Sequence, residues 1–133
     1  MKIFIDTNVL ISSAVFPNST PYKAFYKAVT EPNTAYICDQ NIDELKRIFS
    51  KKFSNKAHAL DTFLSIIMTS VTIVKVPAEE VEAERKIRDE KDRPIFRAAV
   101  MTGADVILTG DKDFLEAGIV VPRIMSPSEF ISK

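Results

Sequence analysis

Short apolar runs alternate along the chain with amphipathic stretches, a pattern that predicts strands and helices in turn. Pro122 interrupts the last apolar run and has no backbone N–H, so we expect that strand at an edge of the sheet. The runs predict five short strands, of which the first is buried, at Lys2–Asp6, Ala35–Cys38, Val71–Val76, Asp105–Thr109 and Ile119–Met125.

The residues between these runs carry apolar side chains at helical spacing. The clearest stripe follows Asp39 and contains Ile42, Leu45, Phe49 and Phe53. Strands that alternate with helices are typical of an α/β fold with a mainly parallel sheet. The other predicted helical segments are one starting near Val9, then Tyr22–Val29, Ala57–Met68, a polar helix at Glu79–Arg88, Pro94–Met101 and a terminal turn at Pro127–Ser132.

Length and composition are those of an ordinary globular domain. The chain has 133 residues, 46% hydrophobic and 27% charged, which predicts a single domain over residues 1–133. Cys38 is the only cysteine, so no intramolecular disulfide forms, and this favours a reducing, cytoplasmic location. The first apolar run stops at Asp6, and no run approaches the roughly 20 apolar residues of a membrane helix. We therefore expect neither a secretion signal nor a membrane partner.

Charge is balanced over the whole chain but uneven along it. The 18 basic and 18 acidic residues cancel, so the chain lacks a strong overall field for nucleic acid. A basic run lies on and beyond the predicted helix after the second strand, at Lys46, Arg47, Lys51, Lys52 and Lys56. Such a run is usually a solvated helix face. Arg47 and Lys51, however, fall on the side of Glu44, where they would suit phosphate contacts.

Four acidic residues are expected to converge at one edge of the sheet. Asp6 ends the first strand and Asp111 follows the fourth, so both leave at the carboxyl edge, where open α/β sheets bind ligands. Glu44 lies in the first turns of the helix after the second strand. Asp92 precedes the helix that leads into the fourth strand. That helix runs antiparallel to the strand, which returns Asp92 to the same edge.

Converging carboxylates point to a divalent cation. Their mutual repulsion would raise their pKa values, and a cation removes that repulsion. Oxygen ligands without His or Cys suit Mg²⁺ or Mn²⁺, and such ions support phosphodiester hydrolysis. The lone histidine, His58, lies in a polar stretch and is not needed for this chemistry.

Each acid also has a local structural interpretation. Asp6 is a favourable helix N-cap, and Asp92 stands at a helix start with proline in the first turn. Glu44 lies three residues before Arg47, a spacing that allows a surface ion pair. The acids of Gly110–Asp113 are turn formers. Capping and metal binding are compatible, so both interpretations stay open.

Four segments, in their order and spacing, resemble the PIN-domain family. They are Phe4–Leu10 (FIDTNVL), Asp43–Leu45 (DEL), Lys91–Ala99 (KDRPIFRAA) and Ala104–Phe114 (ADVILTGDKDF). An apolar strand ending in Asp-Thr-Asn together with a late Thr-Gly-Asp-Lys-Asp-Phe is a specific combination, whereas either motif alone is weak. The closing Ser126–Phe130 (SPSEF) resembles the subgroup of PIN domains assigned as toxins of toxin–antitoxin pairs.

The resemblance implies a three-layer α/β/α sandwich and hydrolysis of single-stranded RNA that depends on Mg²⁺ or Mn²⁺. It also implies a homodimer and an antitoxin protein partner. The family's acids correspond here to Asp6, Glu44, Asp92 and Asp111, with Asp113 a fifth candidate metal ligand, and its supporting polar residues to Thr7, Asn8 and Thr109. The subgroup often shows consecutive acids before the buried helix, whereas this chain has Asp-Glu-Lys-Asp, so Asp89 is the alternative for the third acid.

Two other kinds of protein are alternatives. One is a PIN module that binds RNA or a partner protein without catalysis, although the intact acid set favours an enzyme. The other is a phosphotransfer receiver domain or an aspartate-nucleophile phosphatase. A receiver needs paired acids after strand one and an Asp after strand three, where this chain has Asp6-Thr7 and Val76-Pro77. Such a phosphatase needs Asp-x-Asp, where this chain has Asn8.

Overall fold

A computed structural model describes residues 1–132. Its strands are β1 (Lys2–Ile5), β2 (Thr34–Cys38), β3 (Val71–Val74), β4 (Val106–Leu108) and β5 (Arg123–Met125). They form one sheet in the order β3-β2-β1-β4-β5, and every pairing is parallel. The predicted α/β fold with a parallel sheet is confirmed, and β5 lies at an edge of that sheet.

Helices cover both faces of the sheet. They are α1 (Thr7–Val15), α2 (Thr20–Val29), α3 (Asp39–Lys52), α4 (Ala57–Ser70), α5 (Arg93–Met101), α6 (Lys112–Leu115) and α7 (Pro127–Ile131). Short 3-10 turns lie at Ser54–Lys56, Glu82–Lys86 and Glu90–Asp92. Within residues 1–132, no helix combines the length and the apolar character needed to cross a bilayer.

The side chains of β1 show why the molecule has three layers. Ile3 and Ile5 belong to the core beneath α1–α4, which includes Phe25. Phe4, between them, points to the opposite core beneath α5, which includes Phe96. All five side chains are fully buried. A parallel strand covered on both faces is a continuous apolar run, as the sequence of β1 is.

The strand order places a switch point between β1 and β4. The chain leaves β1 toward β2 on one side and returns to β4 on the other, where Ile5 pairs with Leu108. Ligands of open α/β sheets bind outside the carboxyl ends of the strands at such a point. Receiver domains have the strand order 2-1-3-4-5, so the observed order excludes that alternative.

The third strand ends at Val74, two residues earlier than predicted, and two other predicted elements differ more. The polar helix expected at Glu79–Arg88 is only a 3-10 turn at Glu82–Lys86 within an irregular segment, because Glu84 and Ile87 are buried and bind α5 side chains. The fifth strand is also shorter than predicted. It begins at Arg123 because Pro122 offers no N–H to the ladder.

Candidate active site

Asp6, at the carboxyl end of β1, is the most enclosed acid of the site, with 3% of its surface exposed. Its Oδ1 accepts from the Thr7 backbone N–H at 2.8 Å and caps α1. Its Oδ2 accepts from Asn8 Nδ2 at 3.0 Å and from Thr109 Oγ1 at 2.8 Å. A carboxylate offers about four lone-pair positions, so capping leaves room for another ligand.

Asn8 and Thr109 join the two strand ends that carry acids. Thr109 is fully buried, and its Oγ1 accepts from the Asp111 N–H at 3.0 Å while donating to Asp6. Asn8 Oδ1 accepts from the Gly110 N–H at 3.1 Å. The loop after β4 is therefore fixed relative to the end of β1 by side-chain hydrogen bonds.

Three carboxylates meet at this edge. Asp6, Asp92 and Asp111 each present an oxygen within 4.8 Å of the other two. Asp92 ends the 3-10 turn before α5 and is 8% exposed. Asp111 caps α6 by accepting from the Asp113 N–H at 2.9 Å. Each acid comes from a different loop, so the fold itself brings the charges together.

The donor set fits a hard divalent cation. Asp92 Oδ2 is buried without a hydrogen-bond partner among the described residues. Buried polar atoms are nearly always paired, so an unpartnered oxygen on one of three clustered acids is suited to binding a cation. Three oxygen donors without sulfur or imidazole match the preference of Mg²⁺ and Mn²⁺.

The acids hold protons unusually tightly without such an ion. Burial raises the pKa of Asp6 to about 6, and the charges of Glu44 and Asp111 add to this effect. Burial raises the pKa of Asp92 well above its ordinary value, and the charges of Asp6 and Asp111 add to this effect. Burial also raises the pKa of Glu44, against the opposing charge of Arg47. A cation would provide the positive charge that protons otherwise supply.

Glu44 lies beside the three clustered acids rather than among them. From α3, its Oε1 accepts from Thr7 Oγ1 at 3.5 Å and from Gln40 Nε2 at 3.3 Å. Gln40 Nε2 also donates to the Lys91 carbonyl at 3.0 Å. Glu44 is therefore tied both to the β1 end and to the turn that carries Asp92.

Asn41 supports the site, although the sequence offered no reason to assign it to the site. It is fully buried, and its Oδ1 accepts from the Cys38 N–H at 2.8 Å and the Cys38 thiol at 3.1 Å. Its Nδ2 donates to Thr7 Oγ1 at 2.8 Å, which leaves the Thr7 hydroxyl proton for Glu44. Asn41 is the third residue of α3, a position typical of a capping residue. This position was the only sign in the sequence that its side chain has a structural role.

The remaining predicted residues lie around this centre. Asp113 is half-buried and pairs with Arg88 at 3.5 Å, outside the three-acid cluster. Asp89 accepts from the Lys91 N–H and caps the 3-10 turn. Arg47 lines a cleft together with Glu44. Lys51 is exposed on α3 and does not line that cleft.

The fold and the site together define an α/β domain with a carboxylate cluster suited to a divalent cation at its switch point. The PIN domain family model matches residues 2–113, and the chain therefore belongs to the PIN domain family. An uncharacterized protein of Methanocaldococcus jannaschii is 27% identical over 145 residues, which cover 100% of this chain and 91% of that protein.

Solved structures with low sequence identity share the fold. A chain of VapBC2 from Rickettsia felis, bound to a DNA fragment from their promoter, is 20% identical with a TM-score of 0.69, covering 95% of this chain and 98% of that one. Mycobacterium tuberculosis VapC20, described as a sarcin-ricin loop cleaving toxin, is 17% identical with a TM-score of 0.62, covering 89% and 96%. A chain of FitAB bound to the IR36 DNA fragment is 17% identical with a TM-score of 0.62, covering 94% of each.

Proposed function

We propose that this protein is a ribonuclease that hydrolyses phosphodiester bonds of single-stranded RNA with Mg²⁺ or Mn²⁺, and that it is the toxin of a toxin–antitoxin pair. The observation that carries the proposal is the unpartnered oxygen of Asp92, whose carboxylate clusters with those of buried Asp6 and half-buried Asp111 at the switch point. Membership of the PIN family and the fold shared with a toxin that cleaves RNA support it.

Asp6, Asp92 and Asp111 would hold the metal, with Asp113 a further acid at the rim. A bound ion of this kind supplies positive charge to phosphate oxygens and lowers the pKa of water. Asn8 and Thr109 keep the two strand-end acids in place through the hydrogen bonds described above.

Glu44 is the group proposed to accept a proton from the attacking water. It is only half-buried, so it is accessible from the cleft, and its pKa is raised toward the range useful for a general base. Thr7 and Gln40 donate to one of its oxygens and leave the other available. Arg47 and Lys51 would contact the RNA backbone, with Arg47 adjacent to Glu44.

Cleavage of labelled single-stranded RNA tests this proposal. We expect Mn²⁺ or Mg²⁺ to support cleavage and EDTA to abolish it. Glu44→Gln should lower the rate by about 100-fold or more, because it removes the proton acceptor. Asp6→Asn and Asp111→Asn should lose most activity while remaining folded.

Asp61→Asn is the matched control, because Asp61 is an exposed acid on α4 outside the site. It should cleave like the natural chain. Full activity in any of the three site variants would remove that residue from the mechanism. Cleavage that persists in EDTA would refute the metal-dependent reaction.

The proposal extends to partners and location. We propose an antitoxin protein that binds and restrains this chain, because it shares its fold with the toxin VapC20 and its closing Ser126–Phe130 resembles the toxin subgroup. We also propose a homodimer acting in the cytoplasm. Light scattering should give about twice the 14.9 kDa chain mass, whereas a monomer mass would refute the dimer.

A further inference from the structure

An open cleft adjoins the acid cluster between α3 and the start of α5. Its volume is about 420 Å³, within the range of ligand sites. The residues that line it are Gln40, Asp43, Glu44, Arg47, Lys91 and Pro94. Glu44 belongs to both the cleft and the acid edge, so a ligand bound in the cleft would lie next to the acid cluster.

Two cations in the cleft form no side-chain hydrogen bond or ion pair within residues 1–132. They are Arg47 from α3, which also interacts with the charge of Glu44, and Lys91 from the turn before α5. Three arginines near Lys91 in the sequence form ion pairs instead: Arg88 with Asp113, Arg93 with Glu90 and Arg97 with Glu84. Uncommitted cations beside a cluster of acids are suited to an anion that also approaches those acids.

The cleft is held open by hydrogen bonds rather than formed by loose side chains. Gln40 Nε2 bridges Glu44 Oε1 and the Lys91 carbonyl, which fixes the wall carrying Lys91 relative to α3. Asp43 also lines the cleft and is exposed. Its carboxylate would repel a phosphate but can accept a hydrogen bond from a sugar hydroxyl.

We propose that this cleft binds the ribonucleotide next to the scissile bond, with Arg47 and Lys91 on its phosphate and Asp43 accepting from its 2′-hydroxyl. The inference rests on the proposed ribonuclease function and deepens it. Phosphate contacts position the strand without reading its sequence. The contact with the 2′-hydroxyl favours RNA over DNA.

Binding without cleavage tests the phosphate contacts. Fluorescein-labelled single-stranded RNA of 12 nucleotides is titrated in EDTA into the Asp6→Asn protein, with and without the pair Arg47→Ala and Lys91→Ala. The matched control carries Lys23→Ala and Lys52→Ala, which remove equal charge from exposed positions outside the cleft. Circular dichroism verifies that each variant is folded.

We expect the cleft pair to weaken RNA binding at least tenfold relative to the control pair. The slope of log K against log salt should fall by about 0.7 for each phosphate that the variant no longer neutralises. An affinity and a salt slope equal to those of the control would overturn the assignment of Arg47 and Lys91 to the phosphate.

Asp43→Ala tests the sugar contact, with Asp61→Ala as its control. The same 12-nucleotide sequence is measured as RNA and as DNA. We expect Asp43→Ala to lower the preference for RNA, because RNA loses the sugar contact whereas DNA only loses a repelling charge and binds more tightly. An unchanged RNA-to-DNA ratio would overturn this contact.

A poly-glutamate peptide distinguishes a second kind of occupant. Binding of this peptide, but not RNA, in a manner that requires Arg47 and Lys91 would make the cleft a docking site for an acidic protein and overturn the proposal. These titrations require no metal, so they test RNA binding apart from cleavage. If the cleft binds RNA but the natural protein does not cleave it, the ribonuclease proposal fails and the cleft proposal stands.

Discussion

At the scale of the residue, Asp6 couples stability to pH in the metal-free protein. Its folded pKa of about 6 lies above the ordinary value of 3.8, so the native state binds this proton more tightly than the unfolded chain. The resulting stabilisation is complete below pH 3.8 and is lost as the pH rises through 6. Metal-free protein should therefore lose stability over this interval.

Asp6→Asn should remove the part of this dependence that comes from Asp6, while the raised pKa values of Asp92 and Glu44 maintain the rest. In EDTA at pH 7.5 we expect the variant to be more stable than the natural chain by up to about 3 kcal/mol, and no more stable at pH 4. Asn has only one acceptor oxygen, so it cannot keep all the hydrogen bonds that Asp6 accepts. Loss of those from Asn8 and Thr109 offsets part of the gain in stability. Urea unfolding at the two pH values measures the difference. A variant less stable at pH 7.5 would contradict the account.

Asn41 should act on cleavage through the Thr7 hydroxyl. Asn41→Ala leaves buried partners unpaired and should cost about 1–3 kcal/mol of stability. It should also lower kcat, because the Thr7 proton is no longer directed at Glu44, while Mn²⁺ affinity changes little.

Thr7→Val is the matched comparison for this chain of hydrogen bonds. If Asn41 acts through Thr7, the double variant should lose no more kcat than Thr7→Val alone. Additive losses would mean that the two residues act separately.

At the scale of the element, an ion pair holds the irregular segment before α5 against that helix. Arg97 donates to both oxygens of Glu84, at 3.1 and 2.8 Å, and to the Pro77 carbonyl at 3.1 Å. Glu84 is 4% and Arg97 13% exposed at the side chain, so both charges are largely buried. The segment they hold leads directly to Asp89 and Asp92.

Replacing only one residue of that ion pair should lower the free energy of unfolding. Arg97→Met leaves the Glu84 carboxylate buried without its partner, and we expect a loss of about 3–5 kcal/mol in urea unfolding. Replacing both, with Glu84→Leu and Arg97→Met, should cost less because no charge remains buried. If the double variant is less stable than Arg97→Met, the attraction within the ion pair stabilises the protein, and the unpaired charge of Glu84 is not the main cost of Arg97→Met.

The elements also show what sequence patterns could predict. The continuous apolar run of β1 and the stripe of α3 specify their own burial, and both were predicted correctly. The Glu79–Arg88 segment was not, because its conformation depends on Arg97 and Arg93, which lie on another element. The meeting of Asp6 with Asp111 follows from their strand ends, whereas the role of Asn41 depends on a contact with Thr7 that no local pattern reveals.

At the scale of the whole molecule, two buried acids and one half-buried acid are gathered on a chain with no net charge. With no net charge, the protein lacks a strong overall field for nucleic acid, so the proposed RNA binding would depend on the metal and on the local cations of the cleft. A metal that binds only the native state also stabilises it, by about 2.7 kcal/mol at 100 times its Kd. Metal binding, folding and catalysis are thus expected to share one site.

A Mn²⁺ titration followed by the electron paramagnetic resonance of the free ion tests that site most directly. The natural chain and the Asp61→Asn control should bind Mn²⁺ saturably, and Asp92→Asn should bind at least tenfold more weakly, because it replaces the unpartnered oxygen. Absence of saturable binding to the natural chain, or equal affinity in Asp92→Asn, would contradict the assignment of these acids as a metal centre.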